Sequence, residues 1–251
     1  MTRYEFPQQE RIRTLMRLEE LWGRMQFFMA QDEARYHHAA LVALFEVIDV
    51  GARGDLKSDL LQELERQRQT LTSFRGNLEV FQERLDELLG RIEDSARRLG
   101  ALTGKAGQHV RDNEWLLSVK SRMAIPGGTC QFDLPSYHYW MSRGAHERKA
   151  DLRQWAAPLE PITDAMAIVL DLLRQGGHPQ QVVARQGSYQ HMMGGKTALL
   201  VRVELDDALH CVPEVSGNKY ALMVRFTAPG EGGRPKQVAA DIGFTLTLCS
   251  F

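Results

Sequence analysis

The feature that most constrains this 251-residue chain is a gap in its prolines: none of the nine lies between Pro7 and Pro126. An even spread would place about four there, and proline costs about 3 kcal/mol inside a helix. The gap therefore predicts consecutive helices. The first opens at Pro7 and runs to about residue 29, with Ile12, Leu15, Met16, Leu18, Leu21, Trp22 and Met25 as its apolar face. A second is expected over 32–50, capped by Asp32, a third over 55–74 and a fourth over 77–99. In the last two, Leu56, Leu60, Leu64 and Leu71, then Leu78, Phe81, Leu85, Leu88 and Ile92, form narrow apolar seams amid dense charge. Such seams suit long antiparallel helix pairs and coiled-coil-like dimer contacts. A fifth helix over 109–123 closes the stretch.

Ile125-Pro126-Gly127-Gly128 signals a turn. Residues 129–134 read as short and extended, and Pro135 opens a helical turn carrying Tyr137, Tyr139 and Trp140. Helices follow over 145–156 and 162–175, the latter apolar around most of its circumference and so expected to be buried. Beyond Gly176-Gly177-His178-Pro179 the apolar period changes to two. Leu199, Val201, Val203 and Leu205 alternate with Leu200, Arg202 and Glu204, then Tyr220, Leu222, Val224 and Phe226 with Lys219, Ala221, Met223 and Arg225, and Ile242, Phe244, Leu246 and Leu248 with Asp241, Thr245 and Thr247. These read as antiparallel strands with one buried face. The expectation is an α+β chain: an α-helical dimerisation domain over 1–178 and a smaller antiparallel β-domain over 179–251.

The composition excludes several classes. The net charge of −1 removes a globally basic nucleic-acid binder. Three scattered cysteines, Cys130, Cys211 and Cys249, suit a reducing compartment, so a cytoplasmic protein is expected. The N-terminal residues show no signal-peptide pattern, and no apolar run approaches the roughly 20 residues that span a bilayer. No histidine or cysteine spacing suits a metal, and Gly194-Gly195-Lys196-Thr197 lacks the frame of a P-loop and reads as a hairpin turn. Neither cofactor nor metal is expected, and no catalytic constellation stands out. Cys130 near His138 leaves a thiol enzyme as a remote option.

The charge is unevenly spread: residues 1–100 sum to −3, 101–150 to +3 and 151–251 to −1. On the first helix Arg13, Arg17 and Arg24 share a face. The basic middle adds Arg111, Lys120 and Arg122, with His138 close by, and the β-segments add Arg202, Lys219 and Arg225. Lys219 and Arg225 are expected on one strand face by their even spacing. A local positive surface for an acidic partner is one reading of this pattern, and a nucleic-acid-binding module using the basic middle segment is the alternative.

Ile125-Pro126-Gly127-Gly128-x-Cys130-x-Phe132-Asp133-Leu134-Pro135-x-x-His138-x-Trp140 resembles the central signature of the ZapD family of bacterial cell-division proteins. Tyr4-Glu5-x-Pro7 with Arg13-Thr14-x-x-Arg17-x-Glu19, Glu63-Leu64-x-Arg66-Gln67, Val169-Leu170-Asp171-Leu172-x-Arg174-Gln175 and Ser216-Gly217-x-Lys219 are similar to further family segments, in order along the chain. The resemblance implies a non-enzymatic cytoplasmic homodimer at the division site. It would bind the C-terminal tail of the tubulin-like protein FtsZ and bundle its filaments. It implies a tail-binding role for Arg13, Arg17, His138 and Lys219, which lie on matched motifs. Arg111, Lys120, Arg122, Arg202 and Arg225 join them on charge and predicted face. The chain departs from the family pattern at Thr129, where a second cysteine is expected, and at Glu114, where relatives tend to be basic.

Overall fold

The computed structural model describes residues 1–52, 55–77, 81–195 and 197–251. It is an α+β protein with two compact units, one of Met1–Arg13 with Leu170–Phe251, the other of Thr14–Val169. The division falls within two helices, after Arg13 and after Val169.

The helices are α1 (Glu10–Ala30), α2 (Ala34–Gly51), α3 (Leu56–Thr72), α4 (Gln82–Ala101), α5 (Gln108–Arg111), α6 (Glu114–Met123), α7 (Pro135–Ser142), α8 (Ala145–Ala156) and α9 (Glu160–Gln175). On α1 the expected stripe is buried at Ile12, Leu15, Leu18 and Met25. α3 begins at the expected cap, the Asp55 carboxylate accepting the Ser58 amide N–H at 3.4 Å. Leu56, Leu60 and Leu64 of α3 and Leu85, Leu89, Ile92 and Leu99 of α4 are buried, so the antiparallel seam forms.

Several expectations change. α4 begins at Gln82, which leaves Phe81 at the cap position and 81% exposed instead of in the seam. Leu78 lies outside the described residues. Asp32 does not cap α2; its carboxylate instead meets the Lys149 ammonium at 2.6 Å, a stronger partner than an amide N–H. The fifth helix is broken in two because Asn113 caps α6, accepting the Leu116 N–H at 3.0 Å. Residues 129–134 are not extended. They form successive turns, with the Cys130 carbonyl accepting both the Asp133 and the Leu134 N–H at 3.0 Å. Gly127 adopts φ 72°, and a Cβ at Gly128 would collide with the Arg122 carbonyl oxygen. The Pro-Gly-Gly sequence is what lets this turn close.

The other unit is built on two sheets. Its strands are β1 (Thr2–Pro7), β2 (His178–Ala184), β3 (Ser188–Met192), β4 (Leu200–Leu205), β5 (Val212–Gly217), β6 (Ala221–Pro229), β7 (Pro235–Gln237) and β8 (Ile242–Cys249). The first sheet runs β1-β4-β8-β2 and the second β3-β6-β5, with β7 also on β6, all antiparallel. Inward residues of both sheets, among them Val201, Val203, Leu222, Val224, Ile242 and Leu246, form one core. Phe226 and Phe244 meet edge to face there at 5.0 Å between centroids. Residues 2–7, where no strand is expected from sequence and Pro7 is placed at the start of the first helix, pair with β4 from Thr2↔Leu205 to Pro7↔Leu200. The turn at Gly194-Gly195 lies between β3 and β4, strands of different sheets, so it is not a hairpin. Lys196 lies outside the described residues.

Candidate partner-binding surface

In the β-containing unit the candidate cations have different surroundings. Arg202 points from β4 at Glu5 of β1, donating to Oε1 from Nε at 3.2 Å and from Nη2 at 3.0 Å. Arg174 donates to the same carboxylate, with Nη2 2.9 Å from Oε2. The Arg202 and Glu5 side chains are only 13% and 14% exposed. Burial works to raise the Glu5 carboxyl pKa, but the hydrogen bonds and charges of the two arginines outweigh it and hold the group below its ordinary value. Arg202 is thus a buttress for a half-buried carboxylate. Arg13 is exposed, pairing with Glu10 at 2.9 Å and reaching the Pro7 carbonyl at 3.4 Å.

Lys219 does not share a strand face with Arg225. It stands in the turn before β6 begins at Ala221, where the Asn218 carboxamide accepts the Tyr220 and Ala221 N–H groups at 2.8 and 3.0 Å. Its ammonium lies 4.8 Å from the centroid of the exposed Tyr220 ring. Arg225 is exposed on the outer face of β6, between Ser188 of β3 and Glu214 of β5 in register. A cavity of about 240 Å³ beside Lys219 is lined also by Gln8, Gln9, Met193 and Asn218.

In the helical unit Arg17 is exposed on α1. Arg111 is half-buried and bound locally, Nη2 donating to the Ala106 carbonyl at 2.6 Å. Lys120 forms an ion pair with Asp49 of α2. Arg122, in the last turn of α6, and His138, on α7, are exposed on either side of the glycine-rich turn. The +3 of the middle segment is therefore largely matched: Lys120 by Asp49, Lys149 by Asp32, and Arg143 by Glu147 and Asp151. Arg148 is buried. Glu114 is exposed at the start of α6, where a carboxylate suits the helix dipole.

Sequence reasoning missed an aromatic cluster in this unit. The Trp115, Trp140 and Trp155 rings are mutually in contact, with centroids 5.4–5.9 Å apart, and Tyr137 stacks on Trp140 at 5.8 Å. The Tyr137 hydroxyl lies 2.7 Å from His38 Nδ1, and burial pushes its pKa well above the ordinary phenol value. A cavity of about 550 Å³ opens against the tryptophans, with Asn113, Ser136 and Tyr139 also on its wall. The Trp115 indole N–H donates to Ser136 Oγ at 3.2 Å. The available signal was that three of the chain's four tryptophans fall within residues 115–155.

Cys130 is exposed, whereas Cys211 and Cys249 are buried and burial raises their thiol pKa values. Among the described residues no group of three or more His, Cys, Asp or Glu is placed to hold a metal, and no helix is long and apolar enough to cross a membrane.

Comparison with known proteins places this architecture. The ZapD family model, described as a cell division protein, matches residues 16–225. The chain is 53% identical to the cell division protein ZapD of Ralstonia pickettii (strain 12J) over 252 residues, covering 100% of both chains. The match takes in most of α1, all of α2 to α9, β2 to β5 and the start of β6, including the turn segment between α6 and α7 that carries the central signature. On this evidence the chain belongs to the ZapD family of cell division proteins.

Proposed function

We propose that this protein is a non-enzymatic adaptor that binds the C-terminal tail of FtsZ and crosslinks FtsZ filaments into bundles, promoting Z-ring assembly at midcell. The observation that carries this reading is the full-length likeness to a cell division protein, together with the central signature from Ile125 to Trp140. A cytoplasmic homodimer would supply two equivalent sites, as a crosslinker requires. Weak tail binding then becomes strong across a filament lattice, because the second engagement is intramolecular. The helical region is proposed to carry the dimer contact and the β-sheets to contribute further cations.

Carboxylates of a tail would be taken by exposed Arg and Lys through charge-assisted hydrogen bonds. Exposure favours Arg13, Lys219 and Arg225 in one unit and Arg17, Arg122 and His138 in the other. Arg111, Lys120 and Arg202 remain in the proposed set as cations already bound to this chain's own groups, so their removal acts on stability as well. The deciding experiment is co-sedimentation of the purified protein with FtsZ and with FtsZ lacking its tail. Bundling that needs the tail supports the reading. Undiminished bundling of the tailless protein overturns the docking mode, and a gel shift on DNA or RNA at moderate salt would favour nucleic-acid binding instead.

A further inference from the structure

We propose that the tryptophan-lined cavity of the helical unit receives a single cationic side chain, an arginine or lysine presented by a partner peptide. The cavity volume is about 550 Å³, ample for such a side chain with part of its backbone. Its wall is aromatic: Trp115 and Trp155 are half-buried, their rings 5.4 Å apart and inclined by 33°, and Tyr139 is 70% exposed at the rim. The faces of such rings carry negative electrostatic potential and attract cations.

The charge of the lining selects in the same direction. It holds one guanidinium, Arg143, against two carboxylates, Glu147 and Asp151, an excess of one negative charge. Arg143 is already engaged by both, at 3.1 Å to Glu147 and 2.6 Å to Asp151. The Glu147 carboxylate is also occupied, Oε1 by Arg143 and Oε2 by the Gly144 N–H at 3.2 Å. Asp151 is different. The Trp140 indole N–H at 2.9 Å and the Arg143 guanidinium both donate to Oδ2. Oδ1 has no hydrogen bond among the described residues, on a side chain only 24% exposed. A half-buried carboxylate, fixed by two donors on one oxygen and open on the other, lies beside an indole wall.

An anionic ligand would meet the excess carboxylate and be repelled. A purely apolar one would cover Asp151 Oδ1 without giving it a donor, which is costly for a charged group. A guanidinium meets both demands: its plane stacks on an indole while its N–H groups reach Oδ1. This inference stands apart from the assignment of the FtsZ tail to the exposed cations, since it concerns the opposite charge.

The test is titration of the full-length protein with N-acetyl-arginine amide, followed by the NMR signals of the tryptophan indole N–H groups. Its uncharged citrulline analogue and N-acetyl-glutamate amide serve as comparisons. The arginine compound is expected to shift the Trp115 and Trp155 signals and leave Trp22 unmoved. Loss of the ligand's charge is expected to weaken binding about tenfold, the loss of one charge-assisted hydrogen bond. The Asp151→Asn variant should show a similar loss. If that variant does not fold, the ligand-side comparison decides alone. Equal binding of arginine and citrulline, a preference for glutamate, or no shift through the millimolar range overturns the proposal. Any of these alongside intact tail-dependent FtsZ binding removes this inference and leaves the filament reading in place.

Discussion

Arg148 Nε lies 2.9 Å from His37 Nδ1, and both residues are buried, at 5% and 0% exposure. The imidazole is thereby fixed as an acceptor at Nδ1, and Nε2–H donates to the Gln31 carbonyl at 2.7 Å. The same guanidinium holds the Met141 and Asp32 carbonyls at 3.1 and 2.8 Å and also the Arg143 carbonyl. Replacing Arg148 by Ala leaves these acceptors unsatisfied and opens a void. The expected cost is about 3 kcal/mol or more, measured by urea unfolding. A loss within experimental error would show that the arginine is replaceable by water.

The same pair makes stability depend on pH. Burial is the largest cause depressing the His37 pKa, with the Arg148 and Lys149 charges adding to it against the Gln31 hydrogen bond and Asp32. Burial alone depresses His38. Both therefore take up protons more readily when unfolded than when folded. Their contribution is complete above the ordinary value of 6.5 and declines as pH falls below it. The decline is up to about 1.4 kcal/mol per pH unit for each group. Urea midpoints from neutral pH down to mildly acidic pH check this; a flat profile counts against the depressed imidazole pKa values.

Arg202 and Arg225 should separate stability from binding. Arg202→Ala withdraws one of the two arginines that neutralise Glu5 and is expected to cost about 2 kcal/mol. Arg225→Ala, at an exposed strand position, should leave stability within about 0.5 kcal/mol. Thermal melts of both variants beside FtsZ co-sedimentation distinguish a structural from a docking cation. Equal melting losses would refute the assignment.

Reversing an exposed candidate, Arg17→Asp or Arg122→Asp, is expected to weaken tail binding about tenfold without unfolding the protein. Because the contacts are electrostatic, wild-type affinity should drop steeply with salt. Fluorescence anisotropy with a labelled tail peptide reads both effects. Salt-independent binding would point to an apolar docking mode.

Asn113→Ala removes the cap of α6 and is expected to cost about 1 kcal/mol, while Asn113→Asp retains most of it. Paired urea denaturation curves are the measurement. Equal destabilisation by both would mean that the side-chain oxygen is not the relevant group.

Much of this fold was legible where local chemistry decides it. α8 was read at its observed bounds, Ala145–Ala156, and Asp55 caps α3 as expected. β4, β6 and β8 announced themselves by alternation. What escaped depends on partners distant in sequence. β1 alternates Tyr4 and Phe6 against Arg3 and Glu5, but six residues beside a helix signal carry little weight until β4 is beside them. The candidate cations were legible as charges and not as neighbours. Lys120 meets Asp49 across 71 positions and Arg202 meets Glu5 across 197, separations that no spacing rule spans. The aromatic cluster is likewise assembled from α6, α7 and α8, and no one of them shows it alone.

The pairing of Thr2 with Leu205 has a consequence for how the chain is made. At ribosomal rates of 5–20 residues per second, β1 emerges about 10–40 s before its partner strand. For most of that interval Glu5 has neither arginine, and Tyr4 and Phe6 have no sheet to face. The residues between them can begin folding in the meantime, so β1 finds its place after segments made later than it. A nascent chain stalled before β4 would keep β1 open to chaperones and proteases. Completion of the first sheet is thus timed by translation itself.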